Sequence, residues 1–375
     1  MTVYLDHNAT TPVDPKVADA MWPFLTEHFG NAASGHRFAD TPRRALAEAR
    51  SQVADLVGAT PGEVVFTSSG SEANLLALRG TVLATGRSHP HVITQATEHP
   101  AVLETVRALE RLHGARSTVL PVDGDGLVDP AALTSALTDN TVLVSIMAAN
   151  NETGALQPIQ ELAARTRAHG ALFHCDAAQA AGKIPLDVHT LGVDLLTVVG
   201  HKMYAPKGVG ALYVRAGIEL EPVVYGGGQE RGLRAGTENI ALAVGLGAAA
   251  ALATPGATDL RDDLHRRLAD GLPGQVHLNG PDHARLPNTL NISIAGTLGH
   301  ELLAATPGIA ASTGSACHSG THTPSPVLTA MGLPADRALA AIRLSLGRWS
   351  TPDDVATAAK ALIDAANGVT REGAV

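Results

Sequence analysis

Short apolar runs rich in β-branched residues alternate with helical patterns over most of the chain. Strands are predicted at 63–67, 91–95, 141–147, 171–175, 194–199 and 210–214. Helices are predicted between them, at 71–80, 100–113 and 157–169. Strands that alternate with helices are typical of a mostly parallel sheet covered by helices. The pattern therefore predicts an α/β fold for this part of the chain.

The pattern changes after about residue 255. A charged helix is predicted at 259–268, strands at 276–278, 289–294 and 341–346, and a last helix after Thr351. We expect a large α/β domain over 16–254. We expect a smaller α+β domain formed by 1–15 together with 255–375.

Composition and charge narrow the functional classes. Hydrophobic residues make up 45% and charged residues 17% of the chain, which is typical of a globular protein. The formal net charge of −9 argues against a global electrostatic grip on nucleic acid or an anionic membrane. Two cysteines are too few for a disulfide framework, and the first residues show no secretory signal. The sequence predicts a cytoplasmic protein.

Two charged residues follow apolar strands and suggest chemistry. Asp176 closes a strand, where an ionised carboxylate needs a cationic or hydrogen-bonding partner. It either caps a helix or faces a protonated ring nitrogen, as in pyridoxal phosphate enzymes. Lys202 stands in a Gly-His-Lys turn, and a partly desolvated lysine can form a Schiff base. Together Asp176 and Lys202 favour the interpretation as a pyridoxal phosphate site. Lys183 and Lys207 are expected to lie in turns and to tolerate substitution by alanine.

Two loops have the composition of an anion site. Ser68 to Asn74 (SSGSEAN) joins a strand to a helix, so that Gly70, Ser71 and free amides could meet a phosphate. Taken alone, an ordinary capped turn explains it as well. The Gly-rich stretch 226–239 could also meet an anion or be a surface loop, and spacing does not decide between them.

Cys317 lies among small polar residues, whereas Cys175 sits in an apolar run. A buried inert cysteine normally has apolar neighbours, so Cys317 is the candidate reactive thiol. Its loop also contains His318 and His322. Zinc needs three or four placed ligands, so a metal site would require help from elsewhere, and none is predicted.

These motifs together resemble the class V aminotransferase superfamily, and more narrowly its NifS/IscS-like cysteine desulfurases. The resemblance spans Tyr4 to Arg348. It includes YLDHNATTP, GNAAS, TEHPAV, ANNETG, DAAQ, GHK, RAGTEN and GSAC. Several stretches, such as TVVGHK and GGGQER, are also similar to selenocysteine lyases. The resemblance implies pyridoxal phosphate fold type I.

The resemblance also implies roles for individual residues. Lys202 would bind pyridoxal 5'-phosphate covalently, Asp176 would pair with its ring nitrogen, and His99 would stack on the ring and move protons. Cys317 would be the sulfur-accepting nucleophile. The remaining implied contacts are Gly70, Ser71, Asn150, Gln179, His201 and Thr237 to the cofactor, and Asn150 and Arg343 to the substrate. Val199 stands where many members have a phosphate-binding serine.

The implied activity is conversion of L-cysteine to L-alanine, with sulfur delivered through a Cys317 persulfide to an acceptor. The resemblance further implies a homodimer with shared active sites, in which Thr237 reaches the partner's phosphate, and a sulfur-acceptor protein. The acceptor could serve iron–sulfur clusters, thiolated tRNA or DNA, or a thio-metabolite. Selenocysteine lyase is the competing activity within the family. A plain aminotransferase, a non-catalytic scaffold and a redox or zinc module also compete with the desulfurase interpretation.

Overall fold

The computed structural model describes residues 2–254, 258–314 and 323–372 of the chain. Its twelve described strands are β1 (Val3–Tyr4), β2 (Val64–Thr67), β3 (His91–Gln95), β4 (Arg116–Leu120), β5 (Thr141–Ser145), β6 (Leu172–Asp176), β7 (Leu195–Val199), β8 (Gly210–Val214), β9 (Val276–Leu278), β10 (Thr289–Ile294), β11 (Ile309–Ala310) and β12 (Ala341–Ser345). Its described α-helices are α1 (Pro15–Met21), α2 (Pro23–Thr26), α3 (Asp40–Val57), α4 (Gly70–Ala84), α5 (Pro100–His113), α6 (Pro130–Ala136), α7 (Ile159–His169), α8 (Val188–Leu191), α9 (Ile240–Ala251), α10 (Thr258–Gly271), α11 (Gly299–Ala304), α12 (Pro326–Ala330), α13 (Ala335–Leu339) and α14 (Pro352–Glu372).

Seven strands form the main sheet in the order β2-β8-β7-β6-β5-β3-β4. β4, β3, β5, β6 and β7 run parallel to one another, and among the described strands of this sheet only β8 runs antiparallel to the strands on both sides of it. The predicted mostly parallel sheet is therefore confirmed. Short apolar strands buried on both faces are the form such a sheet takes, because helices cover both sides.

Successive residues of one strand point into two different apolar clusters. In β7, Leu196 and Val198 belong to the cluster that includes α3, α7 and α9, whereas Leu195 belongs to the cluster of α4 and α5. This alternation follows from the two-residue period of a strand. The helices thus cover both faces of the sheet, which leaves its strand ends open for a site.

A second, antiparallel sheet has the order β12-β10-β9 and packs against α10 and α14. Val3 and Leu5 from the start of the chain belong to the same apolar cluster, and β1 pairs in parallel with β11. We propose on these contacts that 1–15 and 255–375 form the smaller domain. No helix within the described ranges is long and apolar enough to cross a membrane.

Candidate active site

The ends of four strands carry predicted site residues to one edge of the main sheet. β2 and β7 run in the same direction because both are antiparallel to β8. Gly70 follows β2, His99 follows β3, Asp176 ends β6 and Lys202 follows β7. Open α/β sheets bind ligands beyond the carboxyl ends of their strands. The topology therefore explains how residues far apart in sequence meet.

Asp176 is a buried carboxylate with a partner on each oxygen. Its Oδ2 accepts a hydrogen bond from Nδ2 of Asn74 at 2.7 Å, and its Oδ1 accepts one from the backbone N–H of Ala178 at 2.9 Å. Both donors are neutral, so the negative charge of Asp176 can still attract a cation in the cavity. Asn74 lies on α4 one turn after Gly70, and the sequence interpretation gave it no role.

Lys202 reaches the same cavity from the short turn after β7. Its Nζ donates to the backbone carbonyls of Asn8 at 2.7 Å and Ala9 at 2.8 Å. Burial and, to a smaller extent, the charge of Arg343 lower the pKa of Lys202 to about 8, although Asp176 acts in the opposite direction. A lowered pKa makes the uncharged amine, which is the nucleophile, available near neutral pH.

His99 is the N-cap residue of α5, and its Nδ1 accepts a hydrogen bond from the backbone N–H of Ala101 at 3.1 Å. Burial lowers the pKa of His99, which favours the neutral ring. Because Nδ1 accepts, the hydrogen-bond partner assigns the ring proton to Nε2. His99 therefore offers an N–H donor on its second nitrogen.

The N-terminus of α4 forms the end of the cavity suited to an anion. The helix has 15 residues and begins at Gly70, after the Ser69 N-cap. Ser71 and His201 line the same end, and burial lowers the pKa of His201 to about 4. A Cβ on Gly70 would lie 2.3 Å from Cγ2 of Val199, so these two residues are in close contact. Free helix N–H groups and the helix dipole attract phosphate here.

Arg343 lies in the middle of β12 and is 4% exposed. Its Nη2 donates to Oδ1 of Asp6 at 2.6 Å, and its Nη1 donates to the carbonyl of Asn151 at 3.0 Å. Its Nε is buried without a hydrogen-bond partner among the described residues. Leaving a charged donor unpaired is costly, so Arg343 retains capacity for a carboxylate.

These side chains enclose one cavity of about 390 Å³, within the usual range for small ligands. The predicted residues that line it are Gly70, Ser71, His99, Asp176, Gln179, His201, Lys202 and Arg343. The structure thus brings together most of the residues that the sequence pointed to. Within the described ranges, no group of three or more His, Cys, Asp or Glu could hold a metal ion.

Two predicted site residues lie elsewhere. Asn150 is buried, and its amide is used internally, since Nδ2 donates to the carbonyl of Thr97 and Oδ1 accepts from the N–H groups of Glu152 and Thr153. Its neighbour Asn151 lines the cavity instead. Thr237 is exposed, in a loop outside the cavity. The roles of both residues stay predictions.

Cys317, with His318 and His322, lies outside the described residues. The two described positions that flank this segment both approach Glu152. Ser325 Oγ donates to Oε2 of Glu152 at 2.6 Å, and a Cβ on Gly314 would lie 2.7 Å from the same oxygen. Gly314 also lines the cavity. The role of Cys317 stays a prediction.

Lys183 lies in a turn as expected, but its contacts argue against the expected tolerance of substitution, which stays a prediction. Its side chain is buried, and its Nζ donates to Oε1 of Gln179 at 2.7 Å and to Oδ1 of Asn8 at 3.0 Å. The sequence around Lys183 gives no sign of these contacts, because Asn8 lies 175 positions earlier in the chain. Lys207 is exposed as expected. Asn8 was missed as well, although it lies in the polar motif YLDHNATTP.

The donor set fits pyridoxal phosphate. The group needs an amine for its aldehyde, a carboxylate for its ring nitrogen and hydrogen-bond donors for its phosphate. Lys202 supplies the first, Asp176 the second, and the α4 N-terminus with Ser71 and His201 the third. Asn74 strengthens the fit, because its amide holds the carboxylate of Asp176 in place.

Known proteins resemble the chain over nearly its whole length. The model of the family described as aminotransferase class-V matches residues 3–357. "Cysteine desulfurase IscS" of Dictyoglomus turgidum is 45% identical over 366 residues, which cover 94% of this chain and 91% of that protein. Two solved structures, titled "NIFS-LIKE PROTEIN" and "SspA in complex with cysteine", superpose with TM-scores of 0.89 and 0.85.

Those two structures are 35% and 36% identical to the chain. The first alignment covers 97% of this chain and 99% of the other, and the second covers 93% and 100%. The fold described above agrees with such a match. Sequence, topology and cavity thus lead to one conclusion, that the chain belongs to the class-V aminotransferase family.

Proposed function

We propose that the chain is a pyridoxal phosphate-dependent cysteine desulfurase, which converts L-cysteine to L-alanine and passes the sulfur to an acceptor through Cys317. The observation that carries the proposal is the single cavity shared by Lys202, Asp176 and Arg343. An amine of lowered pKa, a buried carboxylate and an arginine suit an amino-acid substrate bound to this cofactor. The curated relatives named cysteine desulfurases favour this activity over selenocysteine lyase.

When bound, pyridoxal phosphate supplies an aldehyde for amines and a ring that withdraws electrons from the substrate. Asp176 would face the ring nitrogen of the bound group, where its negative charge would favour the protonated form of that nitrogen. With its pKa at about 8 rather than 10.5, Lys202 has roughly 300 times more uncharged amine at neutral pH. Lys202 can therefore act both as nucleophile and as base at the substrate's Cα.

Arg343 binds the substrate carboxylate, which fixes the orientation of the amino acid in the cavity. His99 donates from Nε2 and can supply a proton to the reacting groups. The Cys317 thiolate forms a bond to the substrate sulfur while the carbon–sulfur bond breaks. The electron pair of the broken bond stays on the carbon fragment, which takes up protons and leaves as alanine.

The test compares purified wild-type protein with single variants in the presence of cofactor and L-cysteine. We expect equal release of alanine and sulfur from wild type, and none from Lys202→Ala. Lys207→Ala is the matched control, because Lys207 is exposed and should keep wild-type turnover. Normal alanine formation by Lys202→Ala would contradict the proposal.

The role of Cys317 is tested with two substrates. In Cys317→Ala, turnover of cysteine should fall greatly, whereas turnover of selenocysteine should fall less, because selenium is the better leaving group. Mass spectrometry should find added sulfur on the peptide that contains Cys317. Cys175 is fully buried, and burial raises the pKa of its thiol well above the usual value, so it should stay unmodified. Sulfur on Cys175, with Cys317→Ala fully active, would refute the assignment.

We further propose a cytoplasmic homodimer in which each Thr237 reaches the partner's cofactor phosphate. Thr237 is exposed and outside its own cavity, and the aromatic rings of Phe29 and Phe38 are exposed side by side, 6.1 Å apart. Exposed apolar clusters often mark protein interfaces. A sulfur-acceptor protein would be a further partner.

Mixed dimers test whether Thr237 acts in the partner's site. A dimer of one Lys202→Ala subunit and one Thr237→Ala subunit would contain one intact site, because Lys202 and the unchanged Thr237 then come from different chains. We expect the mixture to be more active than either homodimer. If mixing restores nothing although mixed dimers form, Thr237 does not act across the interface.

A further inference from the structure

Lys183 is a buried amine next to the cavity but not in its lining. Its Nζ has two hydrogen-bond acceptors, Oε1 of Gln179 at 2.7 Å and Oδ1 of Asn8 at 3.0 Å. Both acceptors are neutral amide oxygens, and the nearby charges of Lys202 and Arg343 are positive. Burying a lysine beside two cations costs free energy, so a lysine at this buried position suggests a function for its amine.

Gln179 lines the cavity, and its side-chain amide is held at both ends. Its Nε2 donates to the backbone carbonyl of Asn8 at 2.9 Å, while its Oε1 accepts from Lys183. A carbonyl oxygen can only accept, so both neighbours favour the same orientation of the amide. One N–H of Nε2 is used by Asn8, and the other remains for a ligand.

We propose that Lys183 is a positioning residue, which fixes the side-chain amide of Gln179 so that the cavity receives an N–H donor and not a carbonyl oxygen. This inference rests on the proposed function, since the acceptor would be the ring oxygen of the bound cofactor. Lys183 acts through Gln179 and needs no contact with the cofactor itself.

The other partner of Lys183 does not depend on it. Oδ1 of Asn8 also accepts from Nδ2 of Asn288 at 3.1 Å, so it keeps one donor when the amine is removed. Oε1 of Gln179 would then lose its donor, and the hydrogen bond from Nε2 to the carbonyl of Asn8 alone would hold the amide. Removal of the amine should therefore affect the orientation of Gln179 more than that of Asn8.

The test measures the visible absorbance of the bound cofactor as a function of pH in wild type and Lys183→Met. Methionine keeps the length of the side chain and removes its donor. A hydrogen bond to the charged form of the ring oxygen lowers the pH at which the absorbance changes. Losing this bond should raise the midpoint by about one pH unit and weaken cofactor binding about fivefold to tenfold.

A double-variant cycle separates positioning from a general effect on the fold. Gln179→Leu alone should raise the midpoint as Lys183→Met does, and adding Lys183→Met to Gln179→Leu should raise it no further. Lys207→Met is the matched control and should keep the wild-type midpoint. If Lys183→Met does not fold, Lys183→Leu replaces it in the same cycle.

A wild-type midpoint in a folded Lys183 variant would overturn the inference, as would shifts that add up fully in the double variant. These results differ from a failure of the proposed function. If wild-type protein shows no visible band with pyridoxal phosphate, or releases no alanine from cysteine, the proposed function itself is wrong.

Discussion

Glu98 is a buried carboxyl group directly before His99 in the chain, and it predicts a measurable pH dependence of stability. Its Oε1 accepts from the N–H of Met147 at 2.6 Å and from Nε2 of Gln95 at 3.0 Å, and its Oε2 is buried without a partner among the described residues. Burial, with a further contribution from the charge of Asp176, raises the pKa of Glu98 from 4.5 to about 8. The folded protein therefore holds Glu98 protonated at neutral pH.

The sign and size of the effect follow from proton linkage. Between pH 4.5 and 8 the folded state keeps a proton that the unfolded chain releases, so the free energy of unfolding falls as the pH rises. Each pH unit in this window costs about 1.4 kcal/mol. From pH 5.5 to 7.5, Glu98 should lower the free energy of unfolding by about 2–3 kcal/mol. Glutamine at this position has no such dependence.

The assay is urea unfolding of wild type and Glu98→Gln at pH 5.5 and 7.5, with protein and cofactor concentrations fixed. The stability of Glu98→Gln relative to wild type should rise by about 2–3 kcal/mol from the lower to the higher pH. Glu104→Gln is the control, because Glu104 lies on the exposed face of α5 and pairs with Arg107. It should differ from wild type by about 0.5 kcal/mol or less at both pH values.

If the difference between Glu98→Gln and wild type is the same at both pH values, Glu98 does not hold its proton in the folded state. The account of its burial would then be wrong. If the stability of Glu98→Gln relative to wild type instead falls as the pH rises, Glu98 is ionised in the folded state and stabilised by a cation, which is the opposite electrostatic arrangement.

Three further predictions concern groups around the cavity. Glu230→Ala should lower the free energy of unfolding by about 3–5 kcal/mol, because the 3%-exposed carboxylate of Glu230 accepts two hydrogen bonds of 2.7 Å from Arg50. It should also weaken cofactor binding, because this ion pair anchors the loop that leads to Thr237. Urea unfolding measures the first effect, and titration with cofactor measures the second. Asp176→Asn should lower the rate of alanine formation at least about 100-fold while the protein stays folded. An unchanged rate would mean that Asp176 only caps a helix and has no role at the cofactor. Val199→Ser should tighten cofactor binding about fivefold by adding a hydroxyl beside the phosphate end, and equal dissociation constants would contradict that placement.

The secondary structure of this chain could be predicted closely, because its signals are local. The predicted strands at 91–95, 210–214 and 289–294 match β3, β8 and β10, and the predicted helix at 100–113 matches α5. Among the predicted elements the errors lie at the ends, whereas α3, β4, α6 and α9 were not predicted at all. The strand expected at 141–147 stops at Ser145, where the chain leaves the sheet to form the cavity wall.

The site could be predicted only in part. Lys202 and Asp176 could be identified, because a charge directly after an apolar strand is unusual. The contacts of Lys183 and Asp6 could not be predicted, since Asn8 and Arg343 reach them only once the chain has folded. Asn150 shows the opposite case, in which a motif residue turns its amide inward to hold its own loop.

The pairing of the two ends of the chain has a consequence for its synthesis. Asp6 contacts Arg343, which lies 337 positions later in the chain, and the N–H of Asn8 donates to Oγ of Ser345 at 3.0 Å. At 5–20 residues per second, a ribosome needs roughly 17–67 s to make the second partner after the first. The main sheet can form during this interval, because its strands end at Val214. The contacts of Arg343, the residue proposed to bind the substrate carboxylate, can form only after β12 has been synthesised, so the cavity is completed later than the main sheet.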